Sequence, residues 1–324
     1  MIEVGSVAVD AGQTGEGYVE LAEWADGSPV RLPVKVARGT EDGPVLWVDN
    51  AVHGDELEGT VALWKVFELL RTVELKGTLV AALIMNASAF HAQRRTSPID
   101  DVDVNRIFPG DPQGSFTHQY AHRYKSLVES HATHYANLHG GGNWHLVPHY
   151  AIHRSGNSDA ANVSKEMATV ASPNIVWDSA DVWLNNSLAN LLMEQGIPSV
   201  IIEAGGEGKI QKENVEAHFK SVTNILKCLG MIPGEPERAK SHTIVGTADF
   251  FYAPTGGLWV SDRRAGDILK KGDLVGTLYD SYGAVRSEVR STADVGTLLG
   301  LRTYGATPSG SSLGILGVVK DGSA

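Results

Sequence analysis

A chain of 324 residues with 42% hydrophobic content can bury a sizeable core, and its length fits one large domain with a smaller companion. The net charge of −11, with Lys and Arg scattered rather than gathered into a stripe, excludes a nucleic-acid partner, because nothing is built to neutralise phosphates. The single cysteine, Cys228, excludes an intrachain disulfide and a thiolate metal site, and the longest apolar run, LVAALIM, is far short of a bilayer span, so no membrane partner and a cytoplasmic location are expected.

Along the chain, VLWVD (45–49) is a short β-branched and aromatic run between Gly43-Pro44 and a polar loop, the pattern of a buried strand. From Glu56 to Arg71 the residues Val61, Leu63, Trp64, Phe67 and Leu70 recur at three- and four-residue intervals, which predicts an amphipathic helix. GTLVAALIMN (77–86) is the next predicted strand and completes a strand–helix–strand unit of the kind that builds parallel sheets. The alternation continues with a helix over 116–130, a strand ending in YANLH (135–139), a helix over 184–195, the strand PSVIIEA (198–204) and a helix over 212–229. The expected fold is α/β, a mainly parallel or mixed sheet with helices on both faces. Ligands in such sheets bind beyond the carboxyl ends of strands, where His53, His139 and Glu203 all fall.

Around GMIPGEPERAK (230–240) Pro and Gly cluster and helical periodicity stops. The boundary is placed there, with 1–238 as the catalytic domain and 239–324 as a small all-β domain.

DNAVHGDELEGT (49–60) sets His53 and Glu56 three residues apart at a strand-to-helix junction. Hydrolytic zinc sites take two imidazoles, a carboxylate and an open position, so this pair supplies two of three protein ligands. NLHGGGNW (137–144) offers His139 as the third, followed by glycines that let backbone and substrate approach closely. Hydrogen-bonded loop histidines are the competing reading. Glu203 ends an apolar run, where a carboxylate is costly unless it is paired or functional. It is either a buried ion pair or the base that takes a proton from an attacking water. His145, His149 and His153 form an i, i+4, i+8 series, but Pro148 interrupts any helix, so they read as pocket or surface residues rather than a second metal site.

NASAFHAQRRTSPIDDVDVNRIFPGDP (86–112) carries arginines suited to clamping a carboxylate and an oxyanion. With His-Gly-Asp-Glu (53–56), Asn-Arg-Ile-Phe-Pro-Gly (105–110), Leu-His-Gly-Gly-Gly (138–142) and Glu-Ala-Gly-Gly (203–206), the chain from about residue 30 onward resembles the succinylglutamate desuccinylase and aspartoacylase family, within the zinc carboxypeptidase-like enzymes. RRTSPID and HLVPHYAIHR are closer to the branch of ectoine-degradation deacetylases. The resemblance implies one Zn2+ held by His53, Glu56 and His139, with Glu203 as general base and then acid. It also implies Arg95 polarising the scissile carbonyl, Asn105 and Arg106 binding a substrate carboxylate, and Asp103 orienting a ligand histidine. Arg94 competes with Arg95 for its role, and Asn137 stands where many members carry Asp. The C-terminal segment resembles a lipoyl-like β-barrel, but Ser291 to Gly296 lacks the lysine of a carrier hairpin, so a lid or an oligomer contact is the expected role.

The expected function is hydrolysis of a small acylated substrate: an N-acyl amino acid or related amine loses its acyl group. A metallocarboxypeptidase, or an esterase or lactonase, on the same centre is the alternative, and a nonenzymatic binding protein is a third. Cobalt or manganese would also suit the ligands, and a homo-oligomer is compatible with the sequence.

Overall fold

The computed structural model describes residues 1–320. Strands β1 (Ile2–Val4) and β2 (Val7–Val9) pair with each other, and β3 (Thr14–Glu23) and β4 (Pro29–Arg38) form a long antiparallel hairpin. Strand β5 (Glu41–Asp49), helix α1 (Glu58–Leu69) and strand β6 (Lys76–Ala82) form the expected parallel unit. There follow α2 (Ala87–His91), α3 (Phe116–His131), β7 (His134–His139), β8 (His145–Arg154), α4 (Asp159–Ala171), β9 (Ile175–Ser179), α5 (Leu188–Glu194), β10 (Ser199–Gly206) and α6 (Lys212–Cys228). The rest is β: β11 (Thr243–Tyr252), β12 (Gly257–Val260), β13 (Ile268–Lys270), β14 (Leu274–Tyr279), β15 (Val285–Arg290), β16 (Val295–Arg302), β17 (Ala306–Thr307) and β18 (Ser312–Val319).

Strand alternation assigns each residue of the central strands to one of two cores. Leu46, Val48, Leu138, Val200 and Ile202 pack under α1, α4 and α6, together with Leu63, Met167 and Ile225. Trp47, Tyr135, Ile201, Ile152 and Trp177, on the same strands or on β8 and β9, face the other way, toward Tyr124 and Val128 of α3 and Leu188 and Leu192 of α5. Both faces of β5, β7 and β10 are buried, which is why these strands read as unbroken apolar runs.

Two expectations shift. Helix α1 begins at Glu58, so Glu56 lies in the turn before it, where Glu56 N donates to His53 O at 3.2 Å. The helix expected over 184–195 divides into a 3-10 turn, Val182–Leu184, and α5, which Ser187 caps through Asn190 N. The sheet is mixed, within the expected α/β class, because β8 runs antiparallel to β10. Pro148 sits where that pairing shifts register, between the pairs Tyr150–Glu203 and Val147–Gly205, a place where a missing N–H costs no ladder bond.

The C-terminal segment is all-β as expected, and hydrogen bonding is continuous across the expected boundary. Strand β11 pairs in parallel with β9, Thr243 opposite Ile175, and β18, β16 and β13 extend the sheet to 12 strands. Without them β9 would expose an edge. Strand β16 also meets β8 at Leu301 and Leu146, and β12, β14, β15 and β17 form a separate four-stranded sheet. None of the helices among the described residues is long and apolar enough to cross a membrane.

Candidate metal centre and catalytic cavity

The residues singled out in the sequence converge because three neighbouring strands end together. Asp49 of β5 pairs with Asn137 of β7, and His139 of β7 pairs with Glu203 of β10. The loop after β5 is then folded back across these ends. Asn86 pins it, accepting from Ala89 N as the cap of α2 while Asn86 Nδ2 donates to Val52 O at 3.2 Å. Gly54 N donates to Arg94 O at 3.0 Å, and a Cβ at Gly54 would stand 2.0 Å from the Ala89 carbonyl carbon, so only glycine lets the loop lie this close to α2.

His53, Glu56 and His139 are buried, and one ligand atom from each lies within 4.8 Å of the others. His53 Nδ1 is 2.9 Å from Glu56 Oε1, His139 Nδ1 is 2.8 Å from Glu56 Oε2, and the two Nδ1 atoms are 3.2 Å apart. Ligands 2.0–2.1 Å from a tetrahedral zinc stand about 3.3 Å apart, so the cluster has the spacing and the donor set of such a site. The far nitrogens are engaged: His53 Nε2 lies 3.2 Å from Asp103 Oδ1, and His139 Nε2 lies 2.5 Å from Asn137 Oδ1. The nearer partner of each is an acceptor, the Asn105 amide nitrogen standing farther from His139 Nε2 at 3.3 Å, which places the ring proton on Nε2 and leaves the Nδ1 lone pairs to converge. Asn137 therefore supports its histidine through an amide oxygen. Burial raises the Glu56 carboxyl, but the His53 and His139 rings outweigh it and hold Glu56 well below the usual carboxylate range.

Arg95 reaches the cluster and Arg94 does not. Arg95 Nε donates to Asp103 Oδ2 at 2.9 Å and its Nη1 lies 3.5 Å from Glu56 Oε1. Arg94 is bound instead to Asp101 and to the carbonyls of Thr96 and Ser97. Asp103 thus bridges His53 and Arg95. Burial raises its carboxyl, but Arg95 and then His53 pull it far below the ordinary range, so it is a fixed negative charge. Asn105 is turned toward His139, with Nδ2 3.3 Å from Nε2, and its Oδ1 accepts from Leu188 N. Arg106 donates through Nη1 to Asn105 O, and its guanidinium lies 5.3 Å over the Trp183 ring.

Glu203 is in no ion pair and no side-chain hydrogen bond among the described residues, so the buried-salt-bridge reading has no partner. Its carboxyl is pushed well above the usual value, first by burial and then by Glu56, against the pull of Arg95 and Arg106.

His53, Glu56, Arg95, Asp103, Asn105, Arg106, His139 and Glu203 line one cavity of about 670 Å³. His145 lines it too; His149 lies instead by a second cavity and bonds Ser221 Oγ at 2.8 Å, and His153 is buried. Sequence reasoning missed the rest of the lining: Tyr150 and Ile152 of β8, Trp177, Trp183 and Leu184, and Phe250 and Ile315 from the C-terminal strands. The alternation in NIVWDS was the available signal for Trp177; nothing local links Phe250 or Ile315 to the site.

Residues 42–229 match the model of the succinylglutamate desuccinylase/aspartoacylase catalytic domain. The N-alpha-acetyl-L-2,4-diaminobutyric acid deacetylase of Halomonas elongata is 26% identical, over 97% of this chain and 94% of the relative. Among solved structures, a succinylglutamate desuccinylase from a Silicibacter species superposes with a TM-score of 0.85 at 24% identity, covering 97% of this chain and 98% of the other. The product-bound ectoine utilization protein EutE (DoeB) of Ruegeria pomeroyi gives 0.84 at 24% identity and 97% of each chain. The family match spans more than half of the sequence and contains the segments bearing His53, Glu56, Arg95, His139 and Glu203, and on that ground the chain belongs to the succinylglutamate desuccinylase/aspartoacylase family.

Proposed function

We propose that this protein is a zinc-dependent deacylase that hydrolyses the amide bond of a small N-acyl amino acid or related acylated amine. The observation that carries the reading is the meeting, in one cavity, of the His53–Glu56–His139 cluster, the unpaired Glu203 and the guanidinium groups of Arg95 and Arg106. Zinc held by His53, Glu56 and His139 would polarise a carbonyl and lower the pKa of a water.

The side chains supply the rest. Asp103 and Asn137 hold the two imidazoles in the tautomer that ligation requires. Glu203 accepts the proton of the attacking water and gives it to the departing amine, a role its raised pKa and lack of a partner suit. Arg95, anchored by Asp103, faces the position where negative charge develops on the carbonyl oxygen. Arg106, with Asn105 on the same wall, binds the substrate carboxylate. In this reading residues 1–238 carry the chemistry and 239–324 close the chamber through Phe250, Ser312 and Ile315, which favours small substrates over peptides needing an open groove. The lipoyl-like reading of 239–324 stays within this proposal, as a wall rather than a carrier.

The test is hydrolysis, by zinc-loaded protein, of a panel of N-acetyl amino acids beside dipeptides of matching composition. Turnover confined to the acylated amino acids is expected. Comparable turnover of dipeptides would favour the carboxypeptidase alternative, and inactivity on both with metal bound would overturn the proposal.

A further inference from the structure

The catalytic residues occupy only one end of the cavity. Two residue pairs back along the strands from Glu203 and Tyr150, the same sheet face carries Ile201 opposite Ile152, and Ile152 in turn opposite Trp177. This apolar floor continues upward as a chain of rings: Trp177 and Trp183 have centroids 5.5 Å apart, and Trp183 and Phe250 5.1 Å. The polar edges of both indoles are turned away, because Trp177 Nε1 donates to Asp181 Oδ2 at 3.1 Å and Trp183 Nε1 to Ala248 O at 3.2 Å. What they offer the cavity is therefore hydrocarbon and ring face. Among the described residues, the charged groups lining the cavity all come from the segments around His53, Arg95, Arg106, His139, His145 and Glu203; Asp181, the nearest carboxylate to the aromatic wall, does not line it.

Arg106 marks the junction, its guanidinium resting on the Trp183 ring. A carboxylate bound there sits at the rim of the apolar chamber, and the side chain of an amino acid begins one bond away from its carboxylate. An ammonium or second carboxylate directed into that chamber would lose its hydration with no counter-charge to meet it, whereas a hydrocarbon side chain gains by leaving water.

We propose that the amino-acid half of the substrate carries an apolar side chain, aromatic or branched aliphatic, seated against Ile152, Ile201, Trp177, Trp183 and Phe250. The inference rests on the deacylase reading and sets its specificity. The experiment compares kcat/KM of the zinc-loaded enzyme for the N-acetyl derivatives of L-phenylalanine, L-leucine, glycine, L-aspartate and L-2,4-diaminobutyrate. It also measures binding of the free amino acids by titration calorimetry, which does not depend on turnover. Phenylalanine and leucine are expected to exceed aspartate and diaminobutyrate at least 10-fold in both measurements. Phe250→Ala should lower the phenylalanine-to-glycine ratio, and Ile152→Glu should move preference toward diaminobutyrate. Preference of the wild type for diaminobutyrate or aspartate would overturn the inference while leaving the deacylase reading intact. Inactivity on every N-acetyl amino acid would overturn that reading and this inference with it.

Discussion

Asp103→Asn separates two jobs that one carboxylate performs. Its Oδ1 faces His53 Nε2 at 3.2 Å and also accepts from Asn105 N at 2.9 Å, while its Oδ2 accepts from Arg95 Nε at 2.9 Å. An asparagine with its oxygen kept toward His53 retains the shape, but it removes the negative charge and sets an NH2 against the Arg95 donor. Loss of a carboxylate behind a ligand histidine typically weakens metal binding 10- to 100-fold, about 1.4–2.7 kcal/mol. Loss of the charge-assisted bond to Arg95 removes about 1.5–3 kcal/mol of anchoring from a side chain that is 44% exposed, of which only part reaches the transition state. Two assays follow. Zinc competition against a chromogenic chelator should give a Kd raised by about 10-fold or more, and initial rates at saturating zinc should still fall about 10-fold because Arg95 is loose. A Kd and a saturated rate both within threefold of wild type would refute the bridging role.

Further predictions concern the base, the arginines and the buried histidines. Glu203→Gln should retain zinc yet lower kcat by about 10²–10⁴, measured with the best N-acetyl substrate, since the amide cannot accept the proton. Arg95→Ala should lower kcat by about 10²-fold or more, whereas Arg94→Ala, whose guanidinium is committed to Asp101 and loop carbonyls, should change it less than threefold. Burial holds His149 down at about 4, and burial with His149 nearby holds His218 at about 3, so both are neutral in the fold while the unfolded chain protonates near 6.5. Their contribution is present above pH 6.5 and is lost as pH falls toward 4. At pH 4.5 each costs roughly 2–3 kcal/mol, so the urea midpoint should drop between pH 7 and 4.5, and less so in the His149→Gln, His218→Gln double variant.

Much of the candidate site was legible because its chemistry sits at strand ends. His53 and Glu56 follow a strand whose sequence, VLWVD, admits few other readings, and His139 and Glu203 end runs of the same kind. The departures have local causes. The turn that frees Glu56 delays α1 by two residues, and Pro148 masked β8 because a proline at a register shift reads like a broken element. The choice between Arg94 and Arg95 was beyond one-dimensional reasoning, since adjacent residues point apart and only the loop's hydrogen bonds say which faces inward. The aromatic chamber was hidden for a different reason: Ile152, Trp177, Ile201 and Phe250 are neighbours only through β8, β9, β10 and β11, whose order in the sheet is not their order in the chain.

In the proposed mechanism everything depends on a metal held by His53, Glu56 and His139. Plasma mass spectrometry on protein purified without added metal, beside His53→Ala and His139→Ala, tests it most directly. Near-stoichiometric zinc in the wild type, lost in both variants, is the predicted result. Metal-free wild type that takes up no added zinc, or variants that keep a full complement, would contradict the account.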